Sequence, residues 1–89
     1  MMARKPSGGA EVKLITFYVK AGSTYTHEAE EGMTFREWVD SDYSPASCYI
    51  DGSYVYYNSS RKFSSIAPSE IIEEGKTYNT MRADSGGGN

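Results

Sequence analysis

The sequence predicts an α+β domain in which one helix packs across a mixed four- or five-stranded sheet, in the order β-β-α-β-β-β. Three observations predict it. Two runs of alternating apolar and polar residues stand at the start of the chain, a capped helical segment follows them, and an Asp-Gly turn joins two further apolar runs. The 89 residues suffice for one small domain with a compact core.

The first two strands form an antiparallel hairpin. The run VKLITFYVK, residues 12–20, alternates, and its core-facing residues are Ile15, Phe17 and Val19. Tyr18 lies on the opposite face. Gly22 can adopt the positive φ of a tight turn, and TYTHEAE then alternates again, with His27 on the core-facing side.

The helix is predicted over residues 34–42. Thr34 is a good N-cap, Glu37 completes a capping box, and Met33 and Trp38 are spaced as a hydrophobic staple. The apolar stripe at helical spacing is Phe35, Trp38 and Val39. We expect this stripe to share one core with Ile15, Phe17, Val19, Ile50 and Ile72.

The second half of the chain contains a hairpin and a last strand. Asp51-Gly52 suits a two-residue turn between Tyr49-Ile50 and residues 53–57. Residues 59–75 are predicted to be a loop, with one helical turn around residues 69–73. The final strand follows Gly75 and comprises residues 76–83.

Composition limits the classes of function. We expect a flexible arm at residues 1–11, one domain at residues 12–83, and a flexible Gly-rich tail at residues 84–89. The net charge of −3 provides no basic footprint for nucleic acid. Cys48 is the only cysteine, so no internal disulfide forms, and no apolar run is long enough to cross a membrane. The sequence predicts a soluble protein from a reducing compartment.

No catalytic constellation is predicted. His27, the only histidine, lacks a converging carboxylate and nucleophile, and we interpret it as a partly buried residue with a hydrogen-bond partner. Cys48 is interpreted as a small core residue. The pairs Glu30-Glu31 and Glu73-Glu74 are interpreted as solvated charge. The protein is therefore expected to be non-enzymatic, with no metal and no cofactor.

Tyrosine is the unusual residue type, with eight copies. Alternation places Tyr54 and Tyr56 on one face of their strand and Tyr57 on the other, and one helix can cover only one face of a sheet. Tyr18, Tyr54 and Tyr56 are therefore candidate partner contacts, and Tyr57 replaces the latter two if the strand register slips by one residue. Two alternatives remain open: cross-strand pairing that only stabilises the sheet, and an adaptor that extends its sheet by edge pairing.

Two segments carry a resemblance to a known fold. FYVKAGSTYTHEAEEGMTFREWV is similar to the first hairpin and helix of ubiquitin-like β-grasp proteins, and EIIEEGKTY is similar to the entry into their last strand. The similarity covers about residues 12–82 and implies the β-grasp fold. It also suggests an alternative function as a ubiquitin-like modifier or sulfur carrier. Because Asn89 follows Gly87 and Gly88, that alternative requires trimming of the C-terminus to expose Gly-Gly.

A narrower resemblance is to small structural proteins and repeat modules of tailed phages. The matching residues are Ala29 to Met33, Glu37 to Val39, Ser41, Tyr43, Gly52 to Asn58, and Ile71 to Tyr78. This resemblance implies a protein that decorates or cements a capsid or tail. Its partner would be a capsid or tail protein rather than nucleic acid or membrane, and self-association stays open. Its location would be the virion, or the cytoplasm if the gene is not from a phage.

Overall fold

The computed structural model describes residues 12–83, and the predicted flexible arm at residues 1–11 and Gly-rich tail at residues 84–89 lie outside them. The described elements are β1 (Leu14–Ala21), β2 (Ser23–Glu30), α1 (Phe35–Val39), β3 (Tyr49–Asp51), β4 (Tyr54–Asn58), β5 (Arg61–Phe63) and β6 (Thr77–Arg82). The strands form one mixed sheet in the order β2-β1-β6-β5-β4-β3. Only the β1–β6 pair is parallel.

The sheet curls into a half-barrel, and the predicted β-grasp architecture is wrong. A β-grasp domain of the predicted kind would have four or five strands in the order β-β-α-β-β-β, with the helix across one face. Here six strands surround one helix of five residues, so the sheet curves around the helix instead of lying flat beneath it.

Strand β5 is the main reason for this difference. It lies within the segment predicted to be a loop, because Arg-Lys-Phe is too short to show a strand period. Its backbone pairs with β4 on one side and with β6 on the other, and Phe63 is buried in the core. Pairing along both edges therefore stabilises a strand that its own sequence does not indicate.

The first hairpin and the helix cap are confirmed. Strands β1 and β2 pair in register from Leu14↔Glu30 to Ala21↔Ser23. Thr34 and Glu37 form the capping box: each backbone N–H donates to the side chain of the other residue, at 2.9 and 3.2 Å. The helix ends at Val39, three residues earlier than predicted.

The start of α1 is also held by the segment that precedes β6. The N–H of Phe35 donates to the carbonyl of Glu70 at 3.0 Å, and the N–H of Arg36 donates to the carbonyl of Pro68 at 2.9 Å. With the capping box, these bonds satisfy all four N–H groups that a helix N-terminus leaves without an internal partner. A long-range contact thus fixes a helix too short to form in isolation.

The second hairpin forms, but its turn is one residue later than predicted. Asp51 pairs with Tyr54, so the two loop residues are Gly52 and Ser53 rather than Asp51 and Gly52. Gly52 has φ of +64°, and a glycine at the first loop position is the pattern of a type II′ turn.

The core fills the concave side of the sheet. The predicted core residues Ile15, Phe17, Val19, Phe35, Trp38 and Ile72 are buried, while Val39 and Ile50 are partly buried against them. Trp38 is 0% exposed, and its ring packs edge-to-face on Phe17 with centroids 5.2 Å apart. Its Nε1–H donates to the backbone carbonyl of Glu28 at 3.0 Å, which links α1 to the edge strand β2.

Trp38→Ala is expected to reduce the free energy of unfolding by on the order of 3–5 kcal/mol, because it removes a fully buried ring and its hydrogen bond to β2. Chemical denaturation measures the change. Arg36→Ala, at an exposed position of the same helix, is the control and should change stability by only about 0.5 kcal/mol. A loss for Trp38→Ala no larger than that of the control would contradict the packing described above.

Candidate interaction surface

One row of side chains crosses four adjacent strands on the outer face of the sheet. In the strand register Tyr49 is opposite Tyr56, Tyr56 is opposite Lys62, and Lys62 is opposite Met81. Residues that are directly opposite project from the same face, and neighbouring strands lie about 4.8 Å apart. The row is therefore continuous and spans about 14 Å.

The aromatic rings in this row are ordered by contacts with one another. Tyr49 and Tyr56 stack with centroids 4.6 Å apart and ring planes only 3° from parallel. Tyr54 lies two residues before Tyr56 on the same face. The Lys62 Nζ lies 4.2 Å from the centroid of the Tyr54 ring. We call Tyr49, Tyr54, Tyr56, Lys62 and Met81 the outer tyrosine patch.

The outer tyrosine patch is accessible to a partner. Tyr54 is 52% exposed, Met81 43% and Tyr49 40%, and the other two members are half-buried. The exposure follows from the fold, because α1 and the core occupy the concave side of the sheet. A cluster of exposed aromatic and apolar side chains is typical of a contact site.

The structure places the predicted contact residues in three environments. Tyr54 and Tyr56 lie together in the patch, and Tyr57 lies on the inner face and is buried, so the predicted division of β4 is confirmed. Tyr18 is half-buried on the outer face and pairs with Thr77 on β6. Because Thr77 is four residues before Met81 on the same strand, Tyr18 lies about 13 Å from the patch along the strand direction. The candidate conjugation residues Gly87 and Gly88 lie outside the described residues.

Three members of the patch were missed from the sequence. A hairpin turn placed at Gly52-Ser53 would have brought Tyr49 opposite Tyr56, so turn geometry was an available signal. Lys62 and Met81 had no such signal, because both depend on the pairing of β5 with its two neighbours.

On the inner face, a polar contact between His27 and Tyr57 connects two strands that are not neighbours in the sheet. His27 Nε2 and the Tyr57 hydroxyl are 2.6 Å apart, which joins β2 to β4 across the half-barrel. The His27 ring also packs edge-to-face on Trp38, with centroids 5.5 Å apart. The interpretation of His27 as a partly buried residue with a hydrogen-bond partner is confirmed.

Burial controls the protonation of this inner cluster. It lowers the pKa of His27 below its ordinary value of 6.5 and therefore favours the neutral ring. Burial, with smaller contributions from Cys48 and Tyr25, raises the pKa of Tyr57 to about 12. Both side chains are thus neutral at physiological pH, and the contact between them is a hydrogen bond rather than an ion pair.

Cys48 is a core residue, as predicted. It is buried, and desolvation raises the pKa of its thiol to about 12 despite the opposing effect of a hydrogen bond with Ser47. Because the thiolate is the reactive form of cysteine, this thiol is a poor nucleophile.

An open cleft of about 490 Å³ lies beside β2 and is lined by Thr16, Thr26, His27, Glu28, Asp42 and Tyr43. At this edge the Tyr43 hydroxyl donates to a carboxylate oxygen of Glu30 at 3.0 Å.

Within residues 12–83 no group of three or more His, Cys, Asp and Glu side chains could hold a metal ion. The same part of the chain contains no helix with the length and apolar character needed to cross a membrane.

Comparisons of the chain with protein-family models, curated proteins and solved structures find no match. The resemblance to structural proteins of tailed phages stays a prediction from the segments named above. The fold expected from the other resemblance is replaced by the six-stranded half-barrel.

The stability of the protein should fall below pH 6.5 through His27. Because the folded state has the lower pKa, the contribution of neutral His27 is fully present above the unfolded value and is lost as the pH falls through the folded pKa. Unfolding free energies measured from pH 8 to about pH 5, above the main titration of ordinary carboxylates, should show this loss. In the control His27→Gln, which cannot titrate, the slope in this window should be absent; equal slopes in both proteins would contradict the assignment.

The Cys48 thiol should react slowly in the folded protein. At pH 8 we expect modification by a disulfide reagent to be about a hundredfold slower or more than in the unfolded chain, because the thiolate is scarce and the side chain is buried. The same protein in guanidinium chloride is the matched control. Equal rates in the two states would mean that Cys48 is accessible.

Proposed function

We propose that this chain is a non-enzymatic protein–protein interaction domain that binds its partner through the outer tyrosine patch. The observation that carries the proposal is the continuous row of Tyr49, Tyr56, Lys62 and Met81, with Tyr54 beside it. Tyrosine suits such a surface because its ring supplies a large contact area while its hydroxyl remains hydrated. Tyrosine and methionine are also enriched in protein interfaces.

Sheet stabilisation accounts for only part of the patch. Stacking of Tyr49 on Tyr56 stabilises the β3–β4 hairpin, as cross-strand pairs do. Tyr54 also stabilises the sheet, because the Lys62 ammonium on β5 lies over its ring, but Tyr54 is still 52% exposed and Met81, at the far end of the row, is 43% exposed. These two side chains favour a role in binding.

The shape of the sheet also supports the proposal. The concave side is filled by the core, so the outer side is convex, and within residues 12–83 its side chains are open to a partner. A convex patch can contact a broad, flat protein surface without a groove on either partner.

We propose further that the partner is a capsid or tail protein and that the chain decorates or cements a phage particle. This narrower proposal depends on the resemblance to structural proteins of tailed phages. One of the segments that carries the resemblance, Gly52 to Asn58, also supplies Tyr54 and Tyr56 to the patch. The virion is the location that this function requires.

The alternative of a ubiquitin-like modifier or sulfur carrier is not proposed. It depended on a β-grasp fold, which the half-barrel replaces, and it also requires trimming of the C-terminus after Gly88.

Alanine substitution in the patch should weaken binding without unfolding the protein. Tyr54→Ala and Tyr56→Ala should each cost about 2 kcal/mol or more of binding free energy, roughly thirtyfold in affinity. The measurement is a sedimentation titration against capsid or tail particles assembled without the chain, with a thermal melt of each variant.

Tyr25→Ala is the matched control, because Tyr25 is exposed but lies on the inner side of the sheet. It should bind as the wild type does, and Tyr18→Ala reports whether the contact extends along β1. Folded patch variants that bind at wild-type strength would exclude the patch as the contact surface. Failure of the wild-type chain to bind particles would exclude decoration.

A further inference from the structure

Strand β2 is an open edge of the sheet. It pairs with β1 on one side, and within residues 12–83 no strand pairs with its other side. It is eight residues long, whereas β3 at the opposite edge has three. Native edge strands are protected from pairing with other chains by short length, proline, lysine or a bulge. The sequence of β2, STYTHEAE, contains neither proline nor lysine, and its register with β1 is uninterrupted.

Hydrogen bonds on β1 show which residues of the first hairpin face which neighbour. The N–H of Tyr18 donates to the carbonyl of Lys76 at 2.9 Å, and the carbonyl of Thr16 accepts from the N–H of Gly75 at 2.7 Å. The even-numbered residues of β1 therefore bond toward β6, so the odd-numbered residues bond toward β2. In an antiparallel pair the bonded residues are directly opposite each other, and the residues opposite these are the odd-numbered residues of β2.

The even-numbered residues of β2 thus direct their backbone groups to the open edge. Two of their carbonyls, those of Glu28 and Glu30, already accept hydrogen bonds from inside the fold. The N–H and carbonyl groups of Thr24 and Thr26 and the N–H of Glu28 have no partner within residues 12–83, and these three residues are exposed. An extended segment that lies along this edge can bond to all of these groups and become a seventh strand.

The edge is acidic at the end where the cleft beside β2 lies. The Glu28 side chain is on the outer face, opposite Thr16, and lines the cleft together with Asp42. The residues that line the cleft include no lysine or arginine. Within residues 12–83 neither the Glu28 nor the Asp42 carboxylate has an ion-pair partner.

The two lysines near the ends of β2 leave this charge uncompensated. Lys20 is opposite Thr24, about 13 Å from Glu28 along the strand direction. Lys13 lies beyond the other end of the strand and pairs with Glu31 at 3.8 Å. A segment that pairs with β2 therefore meets net negative charge at the position opposite Glu28.

This charge selects the chemistry of the segment. Residues directly opposite each other in a sheet project from the same face, where unlike charges attract and like charges repel. A lysine or arginine opposite Glu28 is therefore favoured, and its charged group enters the cleft that Asp42 also lines. A second copy of β2 does not provide this side chain, because the strand contains no lysine or arginine.

We propose that the β2 edge binds an extended segment of a partner protein, which pairs with Thr24, Thr26 and Glu28 through its backbone and places a lysine or arginine opposite Glu28. This second contact surface goes beyond the proposed function. It is separate from the outer tyrosine patch, whose residues belong to β3, β4, β5 and β6.

The probe is a random 12-residue peptide library, selected in parallel on the wild type, on Glu28→Lys and on Asp51→Lys. Asp51→Lys is the matched control, because it makes the same change in charge on the opposite edge strand β3. Peptides enriched on the wild type and on the control should share a lysine or arginine. In titrations, such a peptide should bind Glu28→Lys about tenfold more weakly or worse, and replacing its basic residue with glutamate should restore binding to that variant.

Amide hydrogen exchange of the wild type, followed by NMR, tests strand pairing directly. In the free protein the N–H groups of Thr24, Thr26 and Glu28 should exchange faster than those of Tyr25 and His27, which bond to β1. A saturating selected peptide should slow exchange at the first three about tenfold or more and change the other two little. This alternation is specific to a strand added at the edge, because a ligand held only by side chains does not protect every second amide.

Several outcomes would overturn the inference. They are no enrichment on the wild type, enriched peptides without a basic preference, equal affinity of the wild type and Glu28→Lys, and exchange that peptide slows at none or equally at all of the five amides. Protection of Thr24 and Thr26 in the protein alone, together with sedimentation as a dimer, would overturn it in favour of a second copy. The proposed function fails on a different result, wild-type particle binding by folded patch variants.

Discussion

The burial of Trp38 on the concave side of the sheet is the contact on which the rest of the structure depends. A five-residue helix is too short to form in water without tertiary contacts, so α1 exists because its apolar stripe is covered. Trp38 packs on β1 through Phe17, and its indole N–H bonds to the backbone of β2. Trp38 therefore fixes the position of the helix against both strands of the first hairpin. A flat sheet would lose one of these contacts, so the sheet curves around the helix.

This arrangement also explains why an aromatic surface remains open. A chain of this size has one short helix in its described part, and that helix lies inside the curl of the sheet. Within residues 12–83 no second layer covers the outer face, so side chains that alternate outward along β3, β4, β5 and β6 meet solvent. The position of Tyr54 and Tyr56 is a direct consequence of the burial of Val55 and Tyr57, their neighbours on the same strand.

The parts of the structure that sequence predicts are those set by local chemistry. Alternation identifies the faces of β1 and β4, and the spacing of Thr34, Glu37 and Trp38 identifies the helix and its cap, because each signal lies within a few residues. The fold class could not be predicted this way. It depends on β5, where only Phe63 is buried and where pairing with β4 and β6 supplies the stability. The same limit applies to the candidate site: its tyrosines on β4 follow from alternation, but the positions of Lys62 and Met81 follow from long-range register.

Strand β4 contributes ordered side chains to both the inner and the outer face of the sheet. On its inner side, Tyr57 bonds to His27 across the half-barrel and packs edge-to-face on Phe63. On its outer side, Tyr56 stacks on Tyr49. Because successive side chains of a strand share one rigid backbone, the inner contacts fix the direction in which the outer rings project. Rings that are already ordered lose less conformational entropy when a partner covers them. The affinity of the outer surface therefore depends on the packing of the core beneath it as well as on the residues that a partner touches.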